Sequence, residues 1–197
     1  MEIKELYNIY LQHPLITTDS RECPQGSIFL ALKGTSFDGN RFAAAALEKG
    51  CAYAITDDKE AYAQYAANVG NEDCRMILVD DCLQTFKDLE REHRRQFDIP
   101  VIGITGTNGK TTTKELVAGV LAKKYNVLFT QGNFNNDVGV PKTLFRLRSE
   151  HQIAVVEMGA SHPGDIRTLA ETAEPTCGLI TNVGKAHLQG FGSFDGV

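Results

Sequence analysis

Ser27-Ile28-Phe29-Leu30-Ala31-Leu32 is an almost unbroken apolar run that stops at Lys33-Gly34, a pattern that predicts a buried strand closed by a turn. Residues 40–49 predict a helix, with Asn40 as its N-cap, an alanine run behind it, and Gly50 at the left-handed position past its end. A short strand is expected at 52–55, a helix at 61–68 before Gly70, and a further strand at 76–79. Leu83, Phe86, Glu90, His93 and Phe97 mark one helical stripe, with Leu89 beside it and Glu90 and Arg94 spaced i,i+4. The run Glu90-Arg91-Glu92-His93-Arg94-Arg95 mixes signs and reads as a solvated helix face rather than a binding patch.

The pattern changes near Gln96–Ile99, where the charged helix stops and Pro100 precedes a new apolar run. Two domains are expected, residues 1–97 and 98–197. In the second, strands at 101–104, 127–130, 153–157 and 177–182 alternate with helices at 110–125, 141–147 and 163–172. That alternation predicts a parallel sheet with right-handed crossovers, and ligands in such sheets bind beyond the carboxyl ends of the strands. After Asn182 the chain runs on through Val183-Gly184-Lys185-Ala186-His187 with no closing helix in the pattern, so the second domain is expected to be incomplete.

Composition narrows the class. The chain has 197 residues, 42% hydrophobic and 23% charged, ordinary for a globular protein and long enough to bury a core without staples. With 20 Lys plus Arg against 25 Asp plus Glu the net charge is −5, which argues against broad binding to nucleic acid or anionic membranes. Cys23, Cys51, Cys74, Cys82 and Cys177 are scattered, without a Cys-x-x-Cys pair, as in a reducing compartment. The first residues, Met1-Glu2-Ile3-Lys4-Glu5, carry no apolar leader, and no stretch reaches the length of a membrane span. A cytoplasmic protein is expected.

The chemistry-bearing pattern is Val101-Ile-Gly-Ile-Thr-Gly-Thr-Asn-Gly-Lys-Thr-Thr-Thr, a strand, a glycine-containing turn and a helix start. This is the context of a phosphate loop: amides of residues 107–111 aimed at an anion, Lys110 on the β- and γ-phosphates of ATP, and the Thr111 hydroxyl on Mg²⁺. The strict motif needs glycine where Ile104 stands, so the loop is a compressed form starting at Gly106. Ile153-Ala-Val-Val-Glu157 delivers one carboxylate to a strand end, where such enzymes set a second metal anchor, although Asp is the usual residue. His187 follows the last strand by five residues. A lone histidine is more often a surface residue, and its place at this edge keeps a metal-ligand role open. Gly132-Asn133-Phe134-Asn135-Asn136-Asp137-Val138-Gly139-Val140-Pro141 links a strand to a helix on the same edge, and its asparagines serve equally as turn formers. Thr17-Thr18-Asp19-Ser20-Arg21, taken alone, is a polar turn with an available arginine.

Together these segments resemble the Mur ligases. The match includes the compressed loop, the asparagine-rich segment, Val156-Glu157-Met-Gly-Ala-Ser-His-Pro-Gly-Asp and Asn182-Val-Gly-Lys-Ala-His187-Leu-Gln-Gly-Phe-Gly-Ser. In the first domain Thr18-Asp-Ser-Arg21, Gly26-Ser-Ile-Phe-Leu-Ala-Leu-Lys-Gly and Phe37-Asp-Gly-Asn-Arg-Phe agree as well, so the resemblance covers essentially the whole chain. Within the family the resemblance is to the branch that joins D-alanyl-D-alanine to a UDP-N-acetylmuramoyl tripeptide through an acyl phosphate, in the making of peptidoglycan precursors. It implies a small α/β domain for the UDP substrate followed by a parallel-sheet ATP domain. ATP would lie on Gly106, Thr107, Asn108, Gly109, Lys110, Thr111 and Thr112. One Mg²⁺ would sit on Thr111 and Glu157 and a second on His187, making Lys110, Glu157 and His187 the catalytic set. Substrate contacts fall on Thr18, Asp19, Ser20 and Arg21 and on Asn136, Asp137 and Gly139.

The resemblance also implies parts beyond Val197: a carbamylated lysine that supports the second metal, the rest of the central domain, and a C-terminal domain. This chain alone is therefore expected to be inactive. The competing readings are another amide ligase of the Mur or folylpolyglutamate type, a non-catalytic module binding ATP or a UDP-linked precursor, and a generic phosphate-loop kinase or GTPase. The last gives no role to His187 or to the first domain.

Overall fold

The computed structural model describes residues 1–70, 73–193 and 196. Two compact units divide between Leu89 and Glu90. The compositional change at Gln96–Ile99 lies a little further along the chain.

The first unit opens with α1 (Ile3–Gln12) and β1 (Ile16–Thr17), neither of which the apolar runs had marked. β2 (Ile28–Leu30), β3 (Tyr53–Thr56) and β4 (Met76–Leu78) complete a four-stranded parallel sheet in the order β1-β2-β3-β4. Ile28 pairs with both Ile16 and Tyr53, and Ala54 with Met76. Ile28, Phe29 and Leu30 are fully buried, as a strand covered on both faces requires. The helices are α2 (Ala43–Glu48), α3 (Lys59–Val69) and the first part of α4 (Cys82–Arg94), whose last residues belong to the second unit.

One expectation is corrected here. Residues 40–49 do not start a helix with Asn40 as the cap: a 3₁₀ turn, Gly39–Phe42, comes first, and Asp38 caps it by accepting from the Asn40 amide at 3.1 Å. Asn40 is instead buried in the core of the unit. Its amide nitrogen donates to Asp38 and to Asp57, and its oxygen accepts from the Thr56 hydroxyl at 2.6 Å. An asparagine bonded to three residues inside costs little to bury, and here it fixes the loop to the end of β3.

The second unit is built on β5 (Val101–Thr105), α5 (Lys110–Leu121), β6 (Val127–Phe129), α6 (Gly139–Leu144), β7 (Ile153–Glu157), α7 (Asp165–Ala173) and β8 (Cys177–Ile180). The sheet is parallel throughout, in the order β6-β7-β5-β8. Alternation along the strands sorts its two faces. Val101, Ala154 and Val156 pack with Leu144 and Leu169 under α6 and α7, whereas Ile104 and Val155 pack with Ala118 under α5. Glu157 shares the parity of Val155, so the strand directs it to the α5 side. β8 is exposed along its length, with Ile180 64% exposed. A one-turn helix, α8 (Leu188–Phe191), follows it, where the sequence pattern had shown none.

The mixed-charge end of α4 is not a solvated face. Glu90, His93 and Arg94 are buried, Arg91 and Glu92 half-buried, and only Arg95 of the run is exposed. His93 stacks on Phe145 and reaches the Leu147 carbonyl through Nε2 at 3.3 Å, and Arg94 donates to the Phe97 and Ile99 carbonyls. The charge pattern misled because His93 and Arg94 bond backbone carbonyls of their own unit, a use that sign alternation does not encode.

Candidate active site

Strand β5 ends at Thr105, and the chain turns through Gly106–Gly109 into α5. Gly106 has φ +130°, and a Cβ there would stand 2.9 Å from the Asn182 carbonyl oxygen and closer still to the Thr181 hydroxyl. Only glycine fits this crossing of two loops. The loop after β8 braces the turn: Asn182 O accepts from the Thr107 amide at 3.0 Å, and Asn182 Oδ1 accepts from the Asn108 amide at 3.0 Å. Thr181 donates to the Asn108 carbonyl at 2.6 Å, and the Thr107 hydroxyl meets Gly184 from both its oxygen and its hydrogen.

Two of the amides expected to face an anion, those of Thr107 and Asn108, are thus turned toward Asn182. The open donors are those of the first turn of α5 at Lys110, Thr111 and Thr112, which have no carbonyl one turn earlier. Gly109 caps that turn in the left-handed conformation. The Lys110 ammonium folds over the loop and donates to the Gly106 and Thr107 carbonyls, at 2.6 and 3.1 Å.

Glu157, 1% exposed, closes the site from β7. Its Oε1 accepts from the Thr111 hydroxyl at 3.2 Å and from Asn135 Nδ2 at 2.8 Å, while Oε2 is buried without a hydrogen-bond partner. Its backbone amide donates to the Thr130 hydroxyl at 3.0 Å, which pins the strand end. Lys114, one helical turn beyond Thr111, has no exposed side-chain surface. Its ammonium donates to the Thr130 carbonyl at 2.7 Å, pairs with Glu115 at 2.9 Å and lies 4.0 Å from Glu157 Oε2.

Sequence reasoning missed Lys114, Asn135, Thr130, Thr181 and Asn182. Lys114 carried a usable signal, since a lysine three residues after Thr111 falls on the same helix face.

The asparagine-rich loop lies on this edge. Asn135 reaches Glu157, but Asn136 spends its side-chain oxygen on the amides of Val138 and Gly139, at 3.2 and 2.8 Å, and so caps α6. Gly139 is buried, and a Cβ on it would stand 2.4 Å from the Phe134 backbone, so packing alone accounts for this glycine. Asn136 and Asp137 nevertheless line a cleft of about 460 Å³ shared with Lys110, Asn135 and His187. Lys110 and His187 also line an adjoining cavity of about 190 Å³ over Gly106. His187 is exposed, has φ +49°, and accepts from the Gly190 and Phe191 amides at the start of α8.

In the first unit Thr18, Asp19, Ser20 and Arg21 form one tight turn. Asp19 accepts from the backbone amide and the guanidinium of Arg21, with the closest ion-pair contact at 2.6 Å, and this bond holds the guanidinium above its ordinary pKa. The Arg21 side chain is 87% exposed and presented outward. Ser20 is buried, its carbonyl accepting from Lys49 at 2.6 Å.

Thr111 and Glu157 offer one hydroxyl and one carboxylate side by side at the open end of a helix. This fits Mg²⁺, which is held by one or two protein oxygens together with phosphates. Among the described residues no group of three or more His, Cys, Asp or Glu is placed to hold a metal.

Residues 104–197 match the Mur ligase middle domain, and residues 14–94 match the catalytic domain of the Mur ligase family. A UDP-N-acetylmuramoyl-tripeptide–D-alanyl-D-alanine ligase of Synechocystis is 46% identical over 178 residues, 90% of this chain and 38% of the relative. MurF from Acinetobacter baumannii superposes with a TM-score of 0.85 at 36% identity, over 98% of this chain and 43% of that one. MurF ligase from Thermotoga maritima in complex with ADP gives 0.82 at 36% identity, over 94% and 41%. The chain spans about 38% of the length of the curated relatives it matches. Both halves carry domains of one family, and the chain belongs to the Mur ligases.

Proposed function

We propose that this chain carries the nucleotide-binding and UDP-substrate-binding parts of an ATP-dependent ligase that joins D-alanyl-D-alanine to a UDP-N-acetylmuramoyl tripeptide in the cytoplasm. The observation that carries the reading is the 3.2 Å contact between the Thr111 hydroxyl and Glu157 at the open first turn of α5. The solved relative bound to ADP and the ligase activity for which the curated relatives are named support it.

In this reading the amides of Lys110–Thr112 hold phosphate oxygens, and Lys110 exchanges its two loop carbonyls for the β- and γ-phosphates. Thr107 and Asn108 contribute shape rather than donors, since Asn182 takes their amides. Thr111 and Glu157 hold Mg²⁺, which would screen the charge of the phosphates, and His187 supplies a ligand for a second ion. Asn135 keeps Glu157 Oε1 turned toward Thr111. Asn136 and Asp137 line the side of the cleft on which the muramoyl end of the substrate would lie. Arg21, presented outward by Asp19, pairs with the diphosphate of the UDP moiety.

Bound ATP supplies a phosphoryl group that makes the tripeptide carboxylate a good acyl donor to the amine of D-alanyl-D-alanine. The protein's share is to position two anions side by side and offset their repulsion.

Isothermal titration of this chain with UDP-N-acetylmuramoyl tripeptide, with UDP-N-acetylglucosamine as control, tests the substrate half. Selective binding is expected, lost in Arg21→Ala. Equal affinity for both ligands would refute the muramoyl assignment. Titration with ADP and Mg²⁺ tests the nucleotide half.

A further inference from the structure

Lys114 and Glu157 face each other inside the second unit without closing into a pair. Lys114 has no exposed side-chain surface and Glu157 only 1%, yet Nζ and Oε2 stand 4.0 Å apart, too far for a hydrogen bond. An ammonium has three hydrogens to give, and in so dry a place a lysine and a carboxylate gain most by meeting directly. Oε2 nevertheless has no hydrogen-bond partner. Two shorter contacts of Lys114 account for the gap. Its ammonium donates to the Thr130 carbonyl at 2.7 Å, and Thr130 is itself fixed by the Glu157 amide on its hydroxyl. It also pairs at 2.9 Å with Glu115, which is 54% exposed and draws the ammonium toward the surface of α5.

We propose that Glu115 and Lys114 are positioning residues for the metal site: Glu115 holds the Lys114 ammonium back from Glu157, so that the carboxylate stays turned to Thr111 and free to bind Mg²⁺. The proposal rests on reading Thr111 and Glu157 as the anchor of nucleotide-bound Mg²⁺. A cation approaching a carboxylate competes with every other positive group on it. At 4.0 Å Lys114 offsets part of the charge of a buried Glu157 without occupying either oxygen. Freed from Glu115, the ammonium would close onto Oε2 and draw the carboxylate from Thr111, across a contact that is already 3.2 Å long. Glu115 thus acts on a metal site that it does not touch.

Calorimetric titration of the chain with ADP, in Mg²⁺ and in EDTA, gives the factor by which Mg²⁺ strengthens binding. In Glu115→Ala that factor is expected to fall about tenfold, the scale of one charged hydrogen bond with which the cation must now compete. Affinity in EDTA and the melting temperature are expected to stay at their wild-type values, which a general loss of structure would not allow. Loss of a surface charge acting only through space would give about twofold at ~0.15 M KCl and fade near 1 M, where the screening length is about 3 Å. The effect of a displaced lysine persists at both. Adding Lys114→Met to Glu115→Ala removes the competing ammonium and is expected to return the factor to the wild-type level or above.

A Glu115→Ala factor within about twofold of the wild type would overturn the proposal and leave the nucleotide reading standing. So would an effect that vanishes in high salt, or no recovery in a folded double variant. A wild type whose ADP affinity ignores Mg²⁺ would overturn the metal anchor itself, and the proposal with it. If the double variant does not fold, the salt series of Glu115→Ala decides.

Discussion

A lysine without exposed surface needs acceptors around its ammonium, and Lys114 has the Thr130 carbonyl, Glu115 and the nearby Glu157. Lys114→Met would leave Glu157 buried beside two neutral donors, Thr111 and Asn135. The expected cost is about 3 kcal/mol in denaturant unfolding, the lower range for breaking a buried pair. A loss under about 0.5 kcal/mol, the scale of a surface substitution, would show that Glu115 alone balances the lysine. Lys110 is the opposite case, a half-buried residue whose bonds go only to its own loop. Lys110→Ala is expected to leave the melting temperature nearly unchanged and to weaken ADP binding about thirtyfold, the equivalent of about 2 kcal/mol for a charged hydrogen bond. A thermal unfolding scan measures the first and calorimetric titration the second. At this scale the sequence showed Lys110, Thr111 and Glu157 because a phosphate loop is a local pattern. It could not show which of four neighbouring asparagine and aspartate side chains turns inward. Asn135 and Asn136 are adjacent in the chain, yet one bonds Glu157 and the other caps α6.

Among the elements, α4 tests how burial changes charge. Burial pushes the His93 imidazole down to about 4, so its neutral form is the one the fold accommodates. Between its ordinary value of 6.5 and about 4 the unfolded chain binds a proton that the folded chain excludes, and stability falls as pH falls through that window. The expected loss from this group between pH 7 and pH 5 is about 2 kcal/mol. Glu90, on the same helix, acts with the opposite sign. Both its oxygens are buried without hydrogen-bond partners, and burial, only partly offset by Arg94 and Arg91 and reinforced by Glu174, holds its carboxyl well above 4.5. Above 4.5 the unfolded chain releases the Glu90 proton while the folded chain retains it, so this contribution falls as pH rises. Glu90→Gln removes that slope and leaves the histidine's. The variant is expected to exceed the wild type at pH 7, where it has no carboxyl that must stay protonated, and to rise more steeply from pH 5 to 7. Urea unfolding at the two pH values measures it, and a variant less stable than the wild type at pH 7 would contradict the account. The sequence announced α4 as a helix through its apolar stripe. Its buried polar groups were invisible, because what His93 and Arg94 bond lies in backbone carbonyls brought near by the fold. α1 is a different kind of omission: Ile3, Leu6, Tyr7 and Tyr10 stand at i, i+3, i+4 and i+7, and the last three are buried. That helix was legible.

At the scale of the whole molecule, two parallel sheets in one chain offer two separately readable ligand responses. The parallel order was legible because strand and helix patterns alternate. The cradle itself was not, because the loop after β8 comes some seventy residues after the phosphate loop it braces. If ADP binds the first turn of α5, its binding energy adds to the stability of Glu90–Val197 and is read in the slowest-exchanging amides of β5 and β7. At a hundredfold excess over its dissociation constant the expected gain is about 2.7 kcal/mol there. Hydrogen exchange with and without ADP and Mg²⁺ measures it peptide by peptide, with protection also expected at 109–112. Asn182→Ala should halve this response or more, since Asn108 would lose both its bonds to the Asn182 side chain, at its amide and at its carbonyl, and the loop its shape. UDP-N-acetylmuramoyl tripeptide is expected to protect the turn at 17–22 in Met1–Leu89 instead. Protection of that turn by ADP, with β5 and β7 unmoved, would place the nucleotide on the wrong sheet and remove the basis for reading Thr111 and Glu157 as its metal anchor.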